Sequence, residues 1–327
     1  MSLPAQWRGA LRLPVIAAPM FLASGPDLVV AACRSGVVGT FPALNQRTTE
    51  GYAAWVEEIS GRLAEGPGQP GGPGPAVPFG VNLIVHATNQ RLEADLEVTV
   101  AHRVPLVITS LGAAARVVDQ VHAYGGLVFH DVVNLRHAAK AAQAGVDGII
   151  AVAAGAGGHG GSLSPFALIA EIREMFGGTI VVSGAITRGE HILAAQAAGA
   201  DLAYMGTRFL ATAESMAPQA HKNMVVAAKA ADILYTDTFS AAYANYLRPS
   251  IVACGLDPDH LPEATPHAIG SGVRPWKNVW SAGQGVGSIG SVNTVAGLCE
   301  RLEVEYGAAV ASLRGSLWEE ADADRTR

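Results

Sequence analysis

The chain has 327 residues, of which 50% are hydrophobic and 15% charged, so it can bury one large core or two modest ones. Its formal net charge of -6, without a cluster of Lys and Arg, argues against nucleic acid or an anionic membrane surface as a partner, because both require a concentrated basic surface. With 38 glycines and only 6% aromatic residues, the composition argues against disorder and is typical of close-packed helices and tight loops around a backbone-lined pocket.

The cysteines and the N-terminal segment bear on the cellular compartment. Cys33, Cys254 and Cys299 lie far apart without CxxC spacing, so neither a zinc site nor a disulfide framework is indicated. The first residues, MSLPAQWRGALRLP, lack a basic segment followed by a long apolar run, and no apolar run in the chain is long enough to span a bilayer. We therefore expect a cytoplasmic protein that is neither exported nor membrane-spanning.

Short apolar runs alternate with longer Ala-rich amphipathic segments along the first two-thirds of the chain. The eight runs are residues 14–19, 37–41, 78–83, 105–110, 127–132, 148–153, 179–184 and 202–207. Helix-like segments such as 134–144, 164–176 and 189–198 separate the later runs. This alternation favours an α/β fold with a parallel sheet and crossover helices. Eight repeats predict a closed (β/α)8 TIM barrel, and an open doubly wound sheet fits them less well.

The pattern changes after the eighth run. Residues 218–231 are helix-like, whereas residues 232–278 are rich in Pro, Tyr and polar side chains. We therefore predict that residues 218–278 form a small, mostly helical cap inserted over the barrel mouth. Residues 1–217 and 279–327 are then the barrel domain, with a last helix from about Asn293 that closes the barrel wall.

Two further segments are predicted to be irregular. The stretch GPGQPGGPGPAVP, residues 66–78, cannot hold a helix or a central strand, because proline lacks the amide donor and glycine lacks conformational restraint. We interpret it as a mobile loop. The charged C-terminal tail EEADADRTR is expected to fray.

The loops after strands seven and eight have the composition of a phosphate site. In (β/α)8 barrels the active site lies at the C-terminal ends of the strands, and these two loops often hold a phosphate. Ser183, Gly184 and Ala185 leave strand seven with almost no side chain, so their backbone N–H groups can donate to a phosphate. Gly206 and Thr207 can do so after strand eight. Small residues at strand ends also serve simple turns, but the two loops together favour the phosphate hypothesis.

A single imidazole stands in the glycine run AAGAGGHGG that follows strand six. This imidazole belongs to His159, and the glycines around it clear space at the barrel mouth, so we interpret it as the catalytic residue rather than as a packing histidine. Gly158 beside it is assigned to cofactor binding. His130, at the end of strand five, is the second candidate, whereas His137 and His221 fall in helix-like stretches and are less well placed.

The motifs AAPM, PFGVNL, AGGHGG, SGAI, YMGTRFLAT and WSAGQGVG occur in the order found in nitronate monooxygenases, formerly called 2-nitropropane dioxygenases. The chain resembles this family of FMN-dependent TIM barrels over nearly its whole length. AGGH with a downstream MGTRF is specific to a group that also includes FMN-dependent enoyl-ACP reductases and NADH:quinone reductases. The motifs therefore identify the group better than they identify the substrate.

The resemblance implies FMN as the cofactor and a role for each matched position. His159 matches the active-site histidine of the family. Met20 and Asn82 match positions beside the flavin, and His130 and Asp131 are assigned to the same set. The phosphate cradle matches Ser183, Gly184, Ala185, Met205, Gly206 and Thr207, and the loop bordering the substrate matches Ser281 and Gln284.

Two positions depart from the family pattern. Ala185 stands where many relatives have glycine, which is a mild change because alanine still offers its N–H. Asp131 stands where some relatives carry a lysine near the flavin. A cation there favours reduced anionic flavin and a carboxylate opposes it, so Asp131 either changes the redox poise or serves as a structural cap.

The resemblance implies oxidation of a small anionic nitronate, and also of nitroalkanes, by O2 to a carbonyl compound and nitrite. His159 either hydrogen-bonds the nitro oxygens when protonated or removes the α-proton when unprotonated, and the sequence leaves both open. The leading alternative is an NADH-dependent FMN reductase of quinones or enoyl thioesters, although no separate dinucleotide-binding module is recognisable. A non-catalytic barrel that binds a phosphorylated ligand is disfavoured by His159 and the SAGQ loop. The oligomeric state stays open, with a homodimer as one option.

Overall fold

The computed structural model describes residues 2–65, 77–112, 114–240, 242–262, 273 and 276–325. Its strands in chain order are β1 (Val15–Ala17), β2 (Val38–Pro42), β3 (Phe79–Ile84), β4 (Leu106–Ser110), β5 (Leu127–Val132), β6 (Gly148–Val152), β7 (Gly158–His159), β8 (Thr179–Ser183), β9 (Leu202–Met205), β10 (Ile233–Thr236) and β11 (Ala244–Leu247). All except β7, β10 and β11 form a closed barrel in the order β1-β2-β3-β4-β5-β6-β8-β9, with every pair parallel. Each barrel strand overlaps one predicted apolar run, so the predicted (β/α)8 barrel is confirmed.

Helices between consecutive barrel strands cover the outside of the sheet, and further helices follow the last barrel strand. They are α1 (Pro26–Arg34), α2 (Thr49–Glu65), α3 (Leu92–Ala101), α4 (Ala115–His122), α5 (Leu135–Gln143), α6 (Pro165–Met175), α7 (Gly189–Ala197), α8 (Thr207–Leu210), α9 (Gln219–Ala227), α10 (Arg248–Ala253) and α11 (Val295–Arg325). Proline in the first turn starts α1 and α6, and the Asn134 side chain caps α5 by accepting the N–H of His137. No described helix is both long and apolar enough to cross a bilayer.

The barrel strands are buried on both faces, which explains why they are nearly continuous apolar runs. Every residue of β2, β4 and β6 is buried, since side chains fill the barrel interior and helices cover the outside. The long helix α11 packs against α7 and α1 and closes the wall, as predicted from the residues after 293. The barrel is therefore a rigid scaffold whose loops at the C-terminal ends of the strands can carry a site.

The segment predicted as a mostly helical cap also contains strands. It holds α9, a 3₁₀ helix (Ala230–Asp232) and α10, but β10 and β11 form an antiparallel hairpin. The hairpin adds β7 as a third strand, with Ala244 opposite His159 and Asn245 opposite Gly158. The sequence pattern did not predict this sheet, because its third strand has two residues and comes from the loop after β6. Residues 66–76 of the predicted loop and part of the cap lie outside the described residues, and the domain boundaries stay a prediction.

Candidate active site

A cavity of about 1140 Å³ opens at the C-terminal ends of the barrel strands. Twelve of the fourteen residues predicted for the site line it: Met20, Asn82, His130, Asp131, Gly158, His159, Ser183, Gly184, Ala185, Gly206, Thr207 and Ser281. They come from seven loops or strand ends far apart in the chain. This is the location expected for an active site in a (β/α)8 barrel.

Met205 and Gln284 do not line the cavity. Met205 is fully buried in an apolar cluster outside the barrel with Phe209 and Leu298. Side chains alternate along a strand, so its neighbour Tyr204 points into the barrel and Met205 points away. The Gln284 side chain is exposed, and its backbone N–H donates to the carbonyl oxygen of Gly155 at 2.9 Å. These two residues position the loops around the cavity and do not face it.

Backbone and small side chains form one end of the cavity. A Cβ atom at Gly206 would have no neighbour closer than 3.7 Å, so the space in front of it is open. Gly184 has φ +143°, and a Cβ there would lie 2.6 Å from the carbonyl oxygen of Ala154, so glycine is required. The N–H of Ala185 donates to Gly155 O at 3.3 Å and is therefore engaged within the protein, while Ala185 still lines the cavity, so its assignment to the phosphate cradle stays a prediction. The remaining glycine-lined space fits a phosphate group.

Hydrogen bonds tie the loops at this end together. Gly283 N–H donates to Thr207 Oγ1 at 2.8 Å, and Gly158 N–H donates to Ser281 Oγ at 2.6 Å. A Cβ at Gly157 would lie 2.8 Å from the nitrogen of Gly283. The loop after β6 and the loop that begins at Ser281 therefore approach so closely that a side chain would separate them. This contact is the physical reason for glycine at Gly157 and at Gly283, where a Cβ would lie 2.6 Å from the carbonyl oxygen of Gly155.

His159 lies on the cavity wall in strand β7. Its Nε2 is 2.9 Å from Ser240 Oγ, and its ring meets Trp276 edge-on with 5.2 Å between ring centroids. The side chain is open toward the cavity, while the protein atoms behind it displace water and lower the pKa of the imidazole. His159 is therefore a fixed imidazole that favours its neutral form.

A chain of polar side chains crosses the floor of the cavity. Asn82 Nδ2 donates to Ser110 Oγ at 2.7 Å, and Ser110 Oγ donates to Asp131 Oδ2 at 2.5 Å. Burial raises the pKa of Asp131 to about 6, against the opposing effect of the Ser110 hydrogen bond. Asp131 Oδ1 and the Tyr204 hydroxyl are buried without a hydrogen-bond partner in the described structure. Such atoms are costly to leave unpaired, so they fit the polar atoms of a bound heterocycle.

Two other buried histidines line the cavity and favour the neutral form. His130 shares a 2.7 Å hydrogen bond between Nδ1 and Thr109 Oγ1, and burial lowers its pKa to about 4. His221 donates from Nε2 to the carbonyl of Ser281 at 3.0 Å and stacks on Trp280, and burial lowers its pKa to about 4. In the sequence His221 falls in a helix-like stretch and was not predicted as a site residue. Only the position of α9 against the Ser281 loop brings it to the site.

The barrel, its glycine-lined end and the imidazole at its mouth define a class of cofactor-binding (β/α)8 oxidoreductases. Among the described residues no group of three or more His, Cys, Asp or Glu side chains is placed to hold a metal ion. A family model described as "Nitronate monooxygenase" matches residues 76–302. The chain therefore belongs to the nitronate monooxygenase family, and this membership implies a flavin cofactor.

Two curated relatives match parts of the chain. A protein named "Probable nitronate monooxygenase" from Staphylococcus haemolyticus (strain JCSC1435) is 30% identical over 130 residues, which is 36% of this chain and 36% of the relative. A protein from Rhodococcus jostii (strain RHA1), named (3aS,4S,5R,7aS)-5-hydroxy-7a-methyl-1-oxo-octahydro-1H-indene-4-carboxyl-CoA dehydrogenase, is 27% identical over 214 residues, covering 65% of this chain and 56% of the relative. The chain thus spans between about a third and just over half of the length of these relatives.

Solved structures resemble the fold over nearly its whole length. Nitroalkane oxidase from Streptomyces ansochromogenes superposes with a TM-score of 0.77 at 25% identity, covering 94% of this chain and all (100%) of that one. FabK from Thermotoga maritima superposes with a TM-score of 0.79 at 23% identity, covering 94% of this chain and 96% of that one. The second likeness shows the fold alone.

Proposed function

We propose that the chain binds FMN noncovalently and oxidises nitronates, and also neutral nitroalkanes, with O2 to a carbonyl compound and nitrite. The family membership and the likeness to nitroalkane oxidase support this proposal. The observation that carries it is the position of His159, an imidazole on the wall of the same cavity whose glycine-lined end fits a phosphate.

The described residues suit the two ends of FMN. The backbone of Ser183, Gly184, Gly206 and Thr207 would hold the phosphate at the glycine-lined end. The polar floor around Asp131 would face the heterocycle. FMN supplies the electron transfer between substrate and O2, and the protein supplies binding, orientation and electrostatics.

The hydrogen bonds of Ser240 favour one tautomer of His159. Ser240 Oγ lies 3.1 Å from the carbonyl oxygen of Ala242, which can only accept, and 3.0 Å from Tyr246 Oη, which can donate. We propose that the single Ser240 proton goes to Ala242, so that Oγ accepts from the Nε2–H of His159. Nδ1 then carries the free lone pair. We propose that this nitrogen removes the α-proton of a neutral nitroalkane. A preformed nitronate has already lost that proton and needs His159 for binding and orientation.

Anaerobic mixing of the FMN-loaded protein with candidate electron donors tests the proposal. Propionate 3-nitronate or an alkyl nitronate should bleach the flavin, whereas NADH should reduce it much more slowly. Protein that stays colourless after addition of FMN would contradict the cofactor assignment. Rapid bleaching by NADH with no response to nitronates would contradict the nitronate assignment.

An NADH-dependent reductase of quinones or enoyl thioesters is the second candidate, supported by the relative named as a carboxyl-CoA dehydrogenase. The glycines at 155, 157 and 160 have GxGxxG spacing, which can indicate dinucleotide binding. Here, however, the two-residue strand β7 interrupts the glycine run and the next helix, α6, begins only at Pro165, so the run does not open a helix as the dinucleotide fingerprint does. This geometry favours the nitronate proposal over a reductase that binds NADH through this loop.

A further inference from the structure

Large apolar side chains surround one half of the cavity mouth. Five of them are Phe21 and Leu22 after β1, Leu44 after β2, Ile84 at the end of β3, and Leu111 after β4. Met20, already assigned to the flavin, lies beside them. These four strands are consecutive in the closed barrel, so the side chains follow one another around the mouth. We call these five residues the apolar arc. The polar groups on the same half are Asn82 and Ser110, in the floor, and His86.

The arc presents its apolar surface to the cavity. Phe21 is 48% exposed, Leu22 41% and Leu111 54%. Among the described residues, these are the exposed large hydrophobic side chains that line the cavity, and all three lie on the β1–β4 half. The β5–β9 half contributes His159, Ser183 and the glycine-lined end, together with less exposed apolar residues such as Ile186 and Leu210. The cavity therefore offers a bound molecule a rim of exposed apolar side chains on one half and the His159 imidazole on the other.

The backbone holds two arc residues in an unfavourable conformation. Leu22 has φ 60° and Leu111 has φ 62°, a left-handed region that side chains other than Gly and Asn seldom adopt. Leu22 is fixed there because its N–H donates to Asn45 Oδ1 at 2.8 Å. The turn after Leu111 is fixed because Gly112 packs so closely that a Cβ would lie 2.4 Å from the carbonyl oxygen of Val85. Retained strain of this kind clusters at ligand-binding sites.

We propose that the apolar arc binds an extended alkyl or alicyclic group of the substrate while its nitro or nitronate group faces His159. This inference rests on the proposed function and specifies its substrate class. Burial of each methylene against the arc removes apolar surface from water and strengthens binding. The preferred substrates are therefore larger and more apolar than the short nitronates that suffice to bleach the flavin.

A homologous series of linear 1-alkyl nitronates, from two to eight carbons, tests the arc. In the FMN-loaded protein kcat/KM should rise about two- to fourfold for each added methylene, the upper value corresponding to full burial. Leu22→Asn and Leu111→Asn keep a residue that tolerates the left-handed backbone but remove the apolar surface. Both variants should flatten this rise. Leu163→Asn is the matched control, since Leu163 is 39% exposed outside the cavity, and it should keep the wild-type rise.

Binding of linear carboxylates from butanoate to octanoate, followed by the change in the flavin absorption spectrum, gives a readout without turnover. Affinity that rises with chain length in the parent and not in the two arc variants supports the arc even if no nitronate is oxidised, in which case the proposed function alone fails. A flat response to chain length in the parent would overturn the inference. So would arc variants that lose FMN affinity but keep the rise, because the arc would then belong to the flavin.

Discussion

His159 and Ser240 lie 81 positions apart in the chain, yet Nε2 of the first is 2.9 Å from Oγ of the second. The contact exists because β7, which carries His159, pairs with β11 of the cap, and Ser240 lies in the loop between β10 and β11. Tyr246 Oη, on β11, is a further 3.0 Å from Ser240 Oγ. The cap therefore orients the His159 imidazole, although His159 itself lies in the loop that follows β6 of the barrel.

Replacing His159 with Asn should leave FMN bound but reduce turnover by about 10²- to 10⁴-fold, the usual cost of losing a general base or a stabilising donor. Flavin content and kcat/KM check this. If Nδ1 acts as the base, the loss should be large with neutral nitroalkanes and smaller with preformed nitronates. Ser240→Ala, which removes only the partner of the ring, should cost less than the loss of the ring itself. An Asn variant equal to the parent on both substrate forms would return His159 to a packing role.

The pH dependence of kcat/KM should differ between the two substrate forms. Burial lowers the pKa of His159 below its ordinary value of 6.5, so the base form should persist below that pH. Turnover of a neutral nitroalkane should fall only as the pH drops through this lowered pKa, whereas turnover of a nitronate should be less sensitive. A midpoint above 6.5 in the His159-dependent part of the profile would contradict the assignment.

Gly206→Val should fold but fail to retain FMN. A Cβ at Gly206 would have no neighbour closer than 3.7 Å, so we expect the barrel to accept the side chain, which then fills the space assigned to the phosphate. The flavin-to-protein ratio and the far-UV circular dichroism spectrum measure the two effects separately. Gly290→Val is the control, because Gly290 is exposed, has no neighbour within 4 Å of a Cβ and lies outside the cavity. Normal FMN content in Gly206→Val would refute the cradle.

Asp131→Asn should make the midpoint potential of the bound flavin more positive at pH 8. The wild-type carboxyl has its pKa raised to about 6, so at pH 8 it is a carboxylate that opposes negative charge on reduced flavin. We expect a shift on the order of 30 mV, which is 1.4 kcal/mol for a two-electron couple. The difference should shrink at pH 5, where the wild-type carboxyl is protonated. Reduction in equilibrium with a redox dye measures the midpoint potentials of the parent and the variant at each pH. Equal potentials at pH 8 would exclude an effect of Asp131 on the flavin.

Acid should destabilise the protein through its two buried histidines. His130 and His221 have folded-state pKa values of about 4, below the ordinary 6.5, so the unfolded chain binds protons more readily between these values. The contribution of the two neutral histidines to the free energy of unfolding is therefore complete above pH 6.5 and is lost as the pH falls toward 4. The loss is about 3 kcal/mol at most for each histidine. Asp131 acts in the opposite direction, because its raised pKa of about 6 lets the folded protein bind this proton more readily than the unfolded chain. Urea unfolding at pH 7 and 4.5 should show a smaller difference in His221→Asn than in the parent.

Local pattern accounts for most of the scaffold. Eight apolar runs, separated by helix-like segments, were enough to predict the barrel, because buried parallel strands must be apolar on both faces. Because strand ends meet at one face of a barrel, the same pattern placed His159 and Gly206 in one site. The family motifs added a flavin cofactor, for which we propose FMN, and strand spacing alone indicates neither.

Side-chain direction and long-range contacts could not be predicted from motif positions. The run YMGT suggested Met205 for the cofactor, but strand alternation turns Tyr204 inward and Met205 outward. His221 looked like an ordinary helix residue until α9 packed beside the Ser281 loop.

The sequence by itself determined the barrel and the catalytic candidate, because both depend on local hydrophobic periodicity and on composition at strand ends. The tertiary structure alone decided the partner of His159, the unpaired oxygen of Asp131 and the apolar arc. These features depend on contacts between residues that are distant in the chain, and on backbone angles such as those of Leu22 and Leu111. No local preference of the sequence dictates them, since they arise from the packing of loops that the closed barrel brings to one face.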